Sequence, residues 1–159
     1  MESGKQKINC LTMKAYKILA FFFSLFLAIG NSACSSDGPV PIRYGQEQCT
    51  YCKMTISDAR FGSQIVTLKG RAYNFDDVHC MIAFLKAGVV EQSDIKEIYL
   101  PDYSNDNKLY PANQMFLLKS ESLKSPMLGN IAAFISETDL QAVREIHGGE
   151  VLKWADLLK

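Results

Sequence analysis

The chain has 159 residues, and its 17 lysines and arginines balance 17 aspartates and glutamates. The basic residues are scattered, which excludes the clustered positive face that a nucleic-acid partner requires. Hydrophobic residues make up 48% of the sequence, a share inflated by one apolar run near the N-terminus, so the rest has the composition of an ordinary soluble globule.

That run is the first element. Lys14 and Lys17 precede "ILAFFFSLFLAIG", which ends in the small residues of "NSAC" at Cys34. A positive start, a short apolar stretch and a small-residue cleavage site predict a signal peptide over residues 1–33. The stretch is too short for a bilayer-spanning helix, which needs about 20 residues. A cysteine directly after the small residues resembles a bacterial lipobox, with Asn31 where Leu is usual. Its implied consequence is cleavage before Cys34 and lipidation of that thiol. Residues 34–42 then form the lipidated N-terminus and a polar Pro/Gly tether. Met13 makes a better start than Met1, because "MKAYKILAFFF" has the ordinary shape of a signal peptide. Either way Cys10 is removed. Cys49, Cys52 and Cys80 remain as free thiols, an odd number that argues against a purely structural disulfide framework.

The mature part is sized for one ordinary domain or two very small ones. "GSQIVTLKG" alternates apolar and polar and reads as a strand, and "RAYNF" as its hairpin partner. "DDVHCMIAFLKAG" predicts a helix capped by Asp76 or Asp77, with an apolar face at Val78, Met81, Ile82 and Leu85 and a stop at Gly88. "IKEIYLPDY" is a strand closed by Pro101. The second half repeats the order: "QMFLLKS" and "IAAFIS" as strands, and "SETDLQAVREIHGG" as a helix capped by Ser136 or Thr138 and stopped at Gly148. "VLKWADLLK" closes the chain as a strand or short helix. The expected fold is α+β, two small tandem β-β-α-β units over residues 43–104 and 105–159, related by internal duplication.

The chemistry concentrates in "CTYCKM", Cys49 to Met54. A redox CxxC sits at a helix N-terminus, where the dipole lowers a thiol pKa, but "KMTISDARFG" is a poor helix and a better extended segment. A structural zinc site needs four closed ligands, and the second pair, His79 and Cys80, would point in different directions on a helix. Met54 shifts the balance: thiolate and thioether together select monovalent copper. In an extended segment Cys52 and Met54 share a face, and a turn brings Cys49 alongside. Met127, between Pro126 and Leu128–Gly129 in "SPMLGN", is a second thioether candidate in a turn. At the helix start, Cys80 fits a buried small hydrophobe as well as a ligand, His79 a ligand or a solvated residue, and Asp76 a further ligand or a neighbour of the site. Met81 reads as packing, and His147 as a structural residue at a helix end. No Ser-His-Asp order, phosphate loop or dinucleotide fingerprint is present, so no enzyme active site is visible.

With "SPMLGNIAAF", the stretch "CTYCKMTISDARFGSQIVTLKGRAYNFDDVHCM" resembles the NosL family of copper-binding lipoproteins. Lys53 stands where that family usually has Gly, and Leu128 separates Met127 from Gly129, which are commonly adjacent. The resemblance implies two homologous β-β-α-β units and a Cu(I) site at Cys49, Cys52, Met54 and Met127. It implies a non-enzymatic chaperone that delivers copper for the copper–sulfur centre of nitrous oxide reductase. An ABC-type maturation complex would be a partner, and a lipid anchor would hold the protein to a membrane, facing the periplasm or cell exterior. Two rivals remain: a membrane-anchored thiol-disulfide oxidoreductase cycling Cys49 and Cys52, and a lipoprotein whose metal is structural.

Overall fold

The computed structural model describes residues 38–105 and 108–158. The expected signal peptide, with Met13 and Cys10, the expected lipidation residue Cys34 and the start of the expected tether lie outside the described residues. The fold is α+β, built on two small antiparallel sheets.

In the first sheet, β1 (Ser63–Thr67) and β2 (Ala72–Phe75) form the expected hairpin, and β3 (Ile95–Pro101) pairs with the other side of β1. Gly70 makes the turn at φ 78°, a left-handed conformation that glycine adopts without steric cost. The alternating pattern of β1 does not mark a solvent face, since all five residues are buried. Gln64 is instead covered by the N-terminal strap. Its side chain exchanges two hydrogen bonds of 2.8 Å with the backbone of Val40, and it donates to Asn74 Oδ1 at 2.7 Å. A buried amide with its partners supplied is tolerated at little cost. A strand that the sequence reading did not anticipate, β4 (Leu109–Pro111), completes the order β2-β1-β3-β4. It lies within 105–159 by number but pairs with the first sheet. It is an edge strand, where Pro111 lacks no ladder bond.

Between β2 and β3, α1 (Val78–Lys86) buries Val78, Cys80, Met81 and Phe84. This face is rotated from the expected one: Ile82 and Leu85 are only half-buried. The cause is Phe84, whose ring packs 5.1 Å from Tyr73 and 5.2 Å from Phe75 and outweighs the aliphatic stripe.

The second sheet repeats the arrangement with β5 (Phe116–Lys119), β6 (Ile131–Phe134) and β7 (Glu150–Leu152) in the order β6-β5-β7. Its helix, α2 (Glu137–His147), starts at the Ser136 cap and stops at Gly148, with φ 66°. The chain ends in both expected forms, β7 and then α3 (Trp154–Leu157). One core runs between the sheets, joining Phe75, Met81, Phe84 and Leu100 to Leu117 and Ile131. A smaller cluster of Phe61, Leu118, Phe134 and Leu140 lies with α2. Among the described residues no helix is long and apolar enough to cross a membrane.

Candidate metal centre

The CxxCxM stretch folds into a knuckle. Gln48 and Thr55 form an isolated antiparallel bridge. Inside it the Cys49 N–H donates to Met54 O at 2.8 Å and the Lys53 N–H to Cys49 O at 3.0 Å. Such a tight return requires one left-handed residue, and Lys53 takes it at φ 66°. The chain therefore turns at Lys53 instead of running extended directly from Cys52, and resumes an extended course at the Thr55 bridge, as its β-branched residues suggested. The knuckle is docked on β2: the Thr50 N–H donates to Asn74 O at 2.7 Å, and Asn74 Nδ2 donates to Glu47 Oε2 at 2.6 Å.

Docking brings the knuckle to the first turn of α1. Cys49 and Cys80 are buried and Cys52 is half-buried, and their three sulfurs lie within 4.8 Å of one another. All three are free thiols. Two sulfurs on one ion, at bonds of about 2.3 Å as in zinc thiolates, stand no more than about 4.6 Å apart. Side-chain rotation of less than about an ångström would therefore close the cluster on one metal ion.

The thiols are electrostatically unequal. Burial pushes Cys49 up, but the N–H groups of Asp76, Cys52 and Tyr51 and the Cys52 thiol turn toward its sulfur, and the net shift is downward. Converging N–H groups favour an anion in this way. Cys52 is shifted up by burial and by the neighbouring Cys49, although the Met54 N–H opposes this. Burial and the charge of Cys49 push Cys80 up as well. Cys49 is thus the readiest of the three to lose its proton, and a bound metal would draw protons from the other two as well.

The second thioether candidate arrives from the β5–β6 connection. Met127 is half-buried and packs against the core cluster that contains Cys49 and Cys80. Its loop closes on itself through Leu128 N–H to Ser125 O at 3.0 Å and Asn130 N–H to Ser125 Oγ at 2.7 Å. Leu128, at the tip, is 74% exposed.

Of the residues singled out by sequence, Cys49, Cys52 and Cys80 are gathered together. Met54 is 54% exposed on the knuckle rim. Asp76 is buried, but its carboxylate accepts from Ser57 N–H at 3.3 Å; what it offers the cluster is its main-chain N–H. His79 is exposed and outside the thiol group. Sequence reasoning missed the reach of Asp77, which it named only as one of two candidates for the helix cap. It accepts four hydrogen bonds, three of them from the Met127 loop. The available signal was a second acidic residue at a helix start, with nothing to name its distant donors.

Fold and site together define a two-sheet α+β protein carrying a donor set suited to a soft metal. The chain belongs to the NosL family, whose sequence profile matches residues 39–159. Its fold is similar to that of the copper chaperone NosL from Shewanella denitrificans, known from a crystal structure, with a TM-score of 0.62. The two are 21% identical over 74% of this chain and 94% of that one. No curated protein sequence matches the chain.

Proposed function

We infer that this protein binds one Cu(I) ion at the Cys49–Cys52–Cys80 cluster and passes it to a client, acting as a copper chaperone rather than an enzyme. The observation that carries this reading is the cluster: three thiol sulfurs in reach of one ion, Cys49 supplied with N–H donors, Cys52 only half-buried. Met127 completes the set from the second sheet, and the exposed Met54 thioether guides the ion in or out. A half-open site suits ligand exchange, in which a client's sulfur or imidazole enters before a thioether leaves. Family membership and the fold of the copper chaperone from Shewanella denitrificans support the same reading.

The finer points rest on the sequence. Cys34 carries a lipid anchor after removal of residues 1–33, so the protein works at a membrane, facing the periplasm or cell exterior. The client is nitrous oxide reductase, served with an ABC-type complex, and copper is carried as Cu(I) because sulfur donors favour it. The matching strand orders β2-β1-β3 and β6-β5-β7 support an internal duplication.

An anaerobic Cu(I) titration against a chromophoric competitor tests the function. One tight ion per chain is expected, weakened by about a hundredfold or more by Cys52→Ser or Cys80→Ser, since losing an outer-shell partner alone costs about 10–100-fold. Copper binding that survives Cys52→Ser would sink the reading and bring forward the dithiol oxidoreductase, which the lowered Cys49 favours.

A further inference from the structure

Asp77 is fully buried, and its two oxygens face different parts of the molecule. Oδ1 accepts the His79 N–H at 2.7 Å and caps α1. Oδ2 accepts the Ser125 hydroxyl and the N–H groups of Met127 and Gly129, each of these at 3.2 Å. Capping a helix needs only the first set. The second set comes from the hairpin of the other sheet, 48 to 52 residues along the chain.

The loop has bonds of its own besides those to Asp77. Ser125 and Asn130 bond each other in both directions, at 3.1 and 2.7 Å, and Asn130 Nδ2 donates to Glu121 at 3.0 Å. What Asp77 decides is where that loop sits. Gly129 gives a second, independent sign of the same contact. A Cβ there would collide with Asp77 Oδ1 and stand 2.9 Å from His79 Cβ. The small residue at this position makes room for a close approach between loop and helix.

We propose that Asp77 is a positioning residue for metal binding, latching the Met127 loop onto the turn of α1 that carries Cys80 and so fixing the Met127 thioether against the thiol cluster. The proposal rests on the copper reading above. A carboxylate is suited to the task because both of its oxygens accept. An asparagine has one accepting oxygen and must release either the helix cap or the loop. Charged acceptors also make the stronger hydrogen bonds, which suits a contact that holds one loop against a helix on another sheet.

The test uses the full chain in detergent, labelled at its methionine methyl groups with ¹³C. Cu(I) affinity is measured for the native protein, Asp77→Asn and Ser125→Ala, each with and without Met127→Leu. Ser125→Ala leaves the helix cap intact while removing a latch donor and, with it, the oxygen that accepts the Asn130 N–H, so it serves if Asp77→Asn does not fold. Loss of Met127 is expected to weaken Cu(I) about tenfold in the native chain, the low end of what losing even an outer-shell partner costs, and less than about twofold in either latch variant. The Met127 methyl resonance should shift on adding Cu(I) to the native chain and shift much less in the latch variants. A purely structural brace would lower thermal stability and leave the Met127 penalty unchanged, and that result overturns the proposal. So does a native chain in which Met127→Leu costs nothing. Failure of the copper reading shows separately, as Cu(I) affinity indifferent to Cys49→Ser and Cys52→Ser.

Discussion

The two sheets of this protein share a strand order, and their hairpins both end on a fully buried phenylalanine, Phe75 or Phe134, just before a capped helix. They differ in what surrounds that frame. In the first, α1 buries Cys80 and Met81, and the knuckle is hydrogen-bonded to β2. In the second, α2 buries only Leu140. The hairpins differ too: residues 68–71 join β1 to β2, whereas residues 120–130 join β5 to β6 and reach across to Asp77. One unit thus holds the three thiols, and the other carries the loop with Met127, which the proposed function takes as the thioether arm. The lesson is that two sheets sharing a three-strand order can be elaborated differently, one around a packed thiol cluster and one around a long connecting loop.

The largest test of that division is a pair of core truncations. Phe75→Ala and Phe134→Ala should each cost about 3–5 kcal/mol in chemical denaturation, the usual range for a buried phenylalanine. Their effects on copper should diverge. Phe75 belongs to the cluster that contains Cys49 and Cys80 and immediately precedes Asp76, whose N–H faces the Cys49 sulfur. Phe134 belongs to the other cluster. Cu(I) affinity should fall about tenfold or more with Phe75→Ala and hold within about twofold with Phe134→Ala. Equal losses would mean the two halves are not separable.

Much of the frame was legible in the sequence, because hairpins and capped helices are written locally. The Gly70 turn, the Asp77 and Ser136 caps and the Gly148 stop all follow from neighbours within a few residues. Strand β4 was not legible, since three residues ending in proline carry no periodicity and are held only by pairing with β3. The alternation in β1 was visible, but the cover over Gln64 comes from Val40, which no local pattern announces. The thiol pair Cys49 and Cys52 was plain from spacing. Cys80 was not assignable, because its place beside them depends on the docking of Thr50 on Asn74. The latch on Asp77 was hidden for the same reason.

Backbone strain gives a smaller comparison. Lys53 in the knuckle and Leu128 in the methionine loop both occupy the left-handed region, at φ 66° and 56°. Glycine at either place should relieve about 1–2 kcal/mol of strain and lose about 0.5–1 kcal/mol to the greater freedom of the unfolded chain. A net gain near 0.5 kcal/mol is expected by denaturation for Lys53→Gly and for Leu128→Gly. If only one of them gains, the strain of the other is compensated locally. Lys53 is the candidate for that, through its Nζ contact to Thr50 O at 2.6 Å.

The smallest effect concerns the knuckle's tie to the sheet. Glu47 is held below the usual carboxylate range by its hydrogen bond from Arg43 and, less strongly, by that from Asn74, with burial opposing both. A carboxylate depressed in the folded state contributes stability that is fully present above its unfolded pKa, near 4.5. That contribution is lost as pH falls through the lower folded value. Arg43 is 71% exposed at its side chain, so the ion pair is screened and contributes at the low end of about 0.2–1 kcal/mol. The melting temperature should therefore decline slightly more steeply below pH 4.5 in the native chain than in Glu47→Gln. The decline should weaken in high salt, because the charge on Arg43 is solvated. Asn74 still donates to the glutamine oxygen, so copper affinity at neutral pH should be unchanged in this variant. A drop in affinity would mean that the charge of Glu47, and not the hydrogen bond it accepts from Asn74, sets how the knuckle presents Cys49 and Cys52.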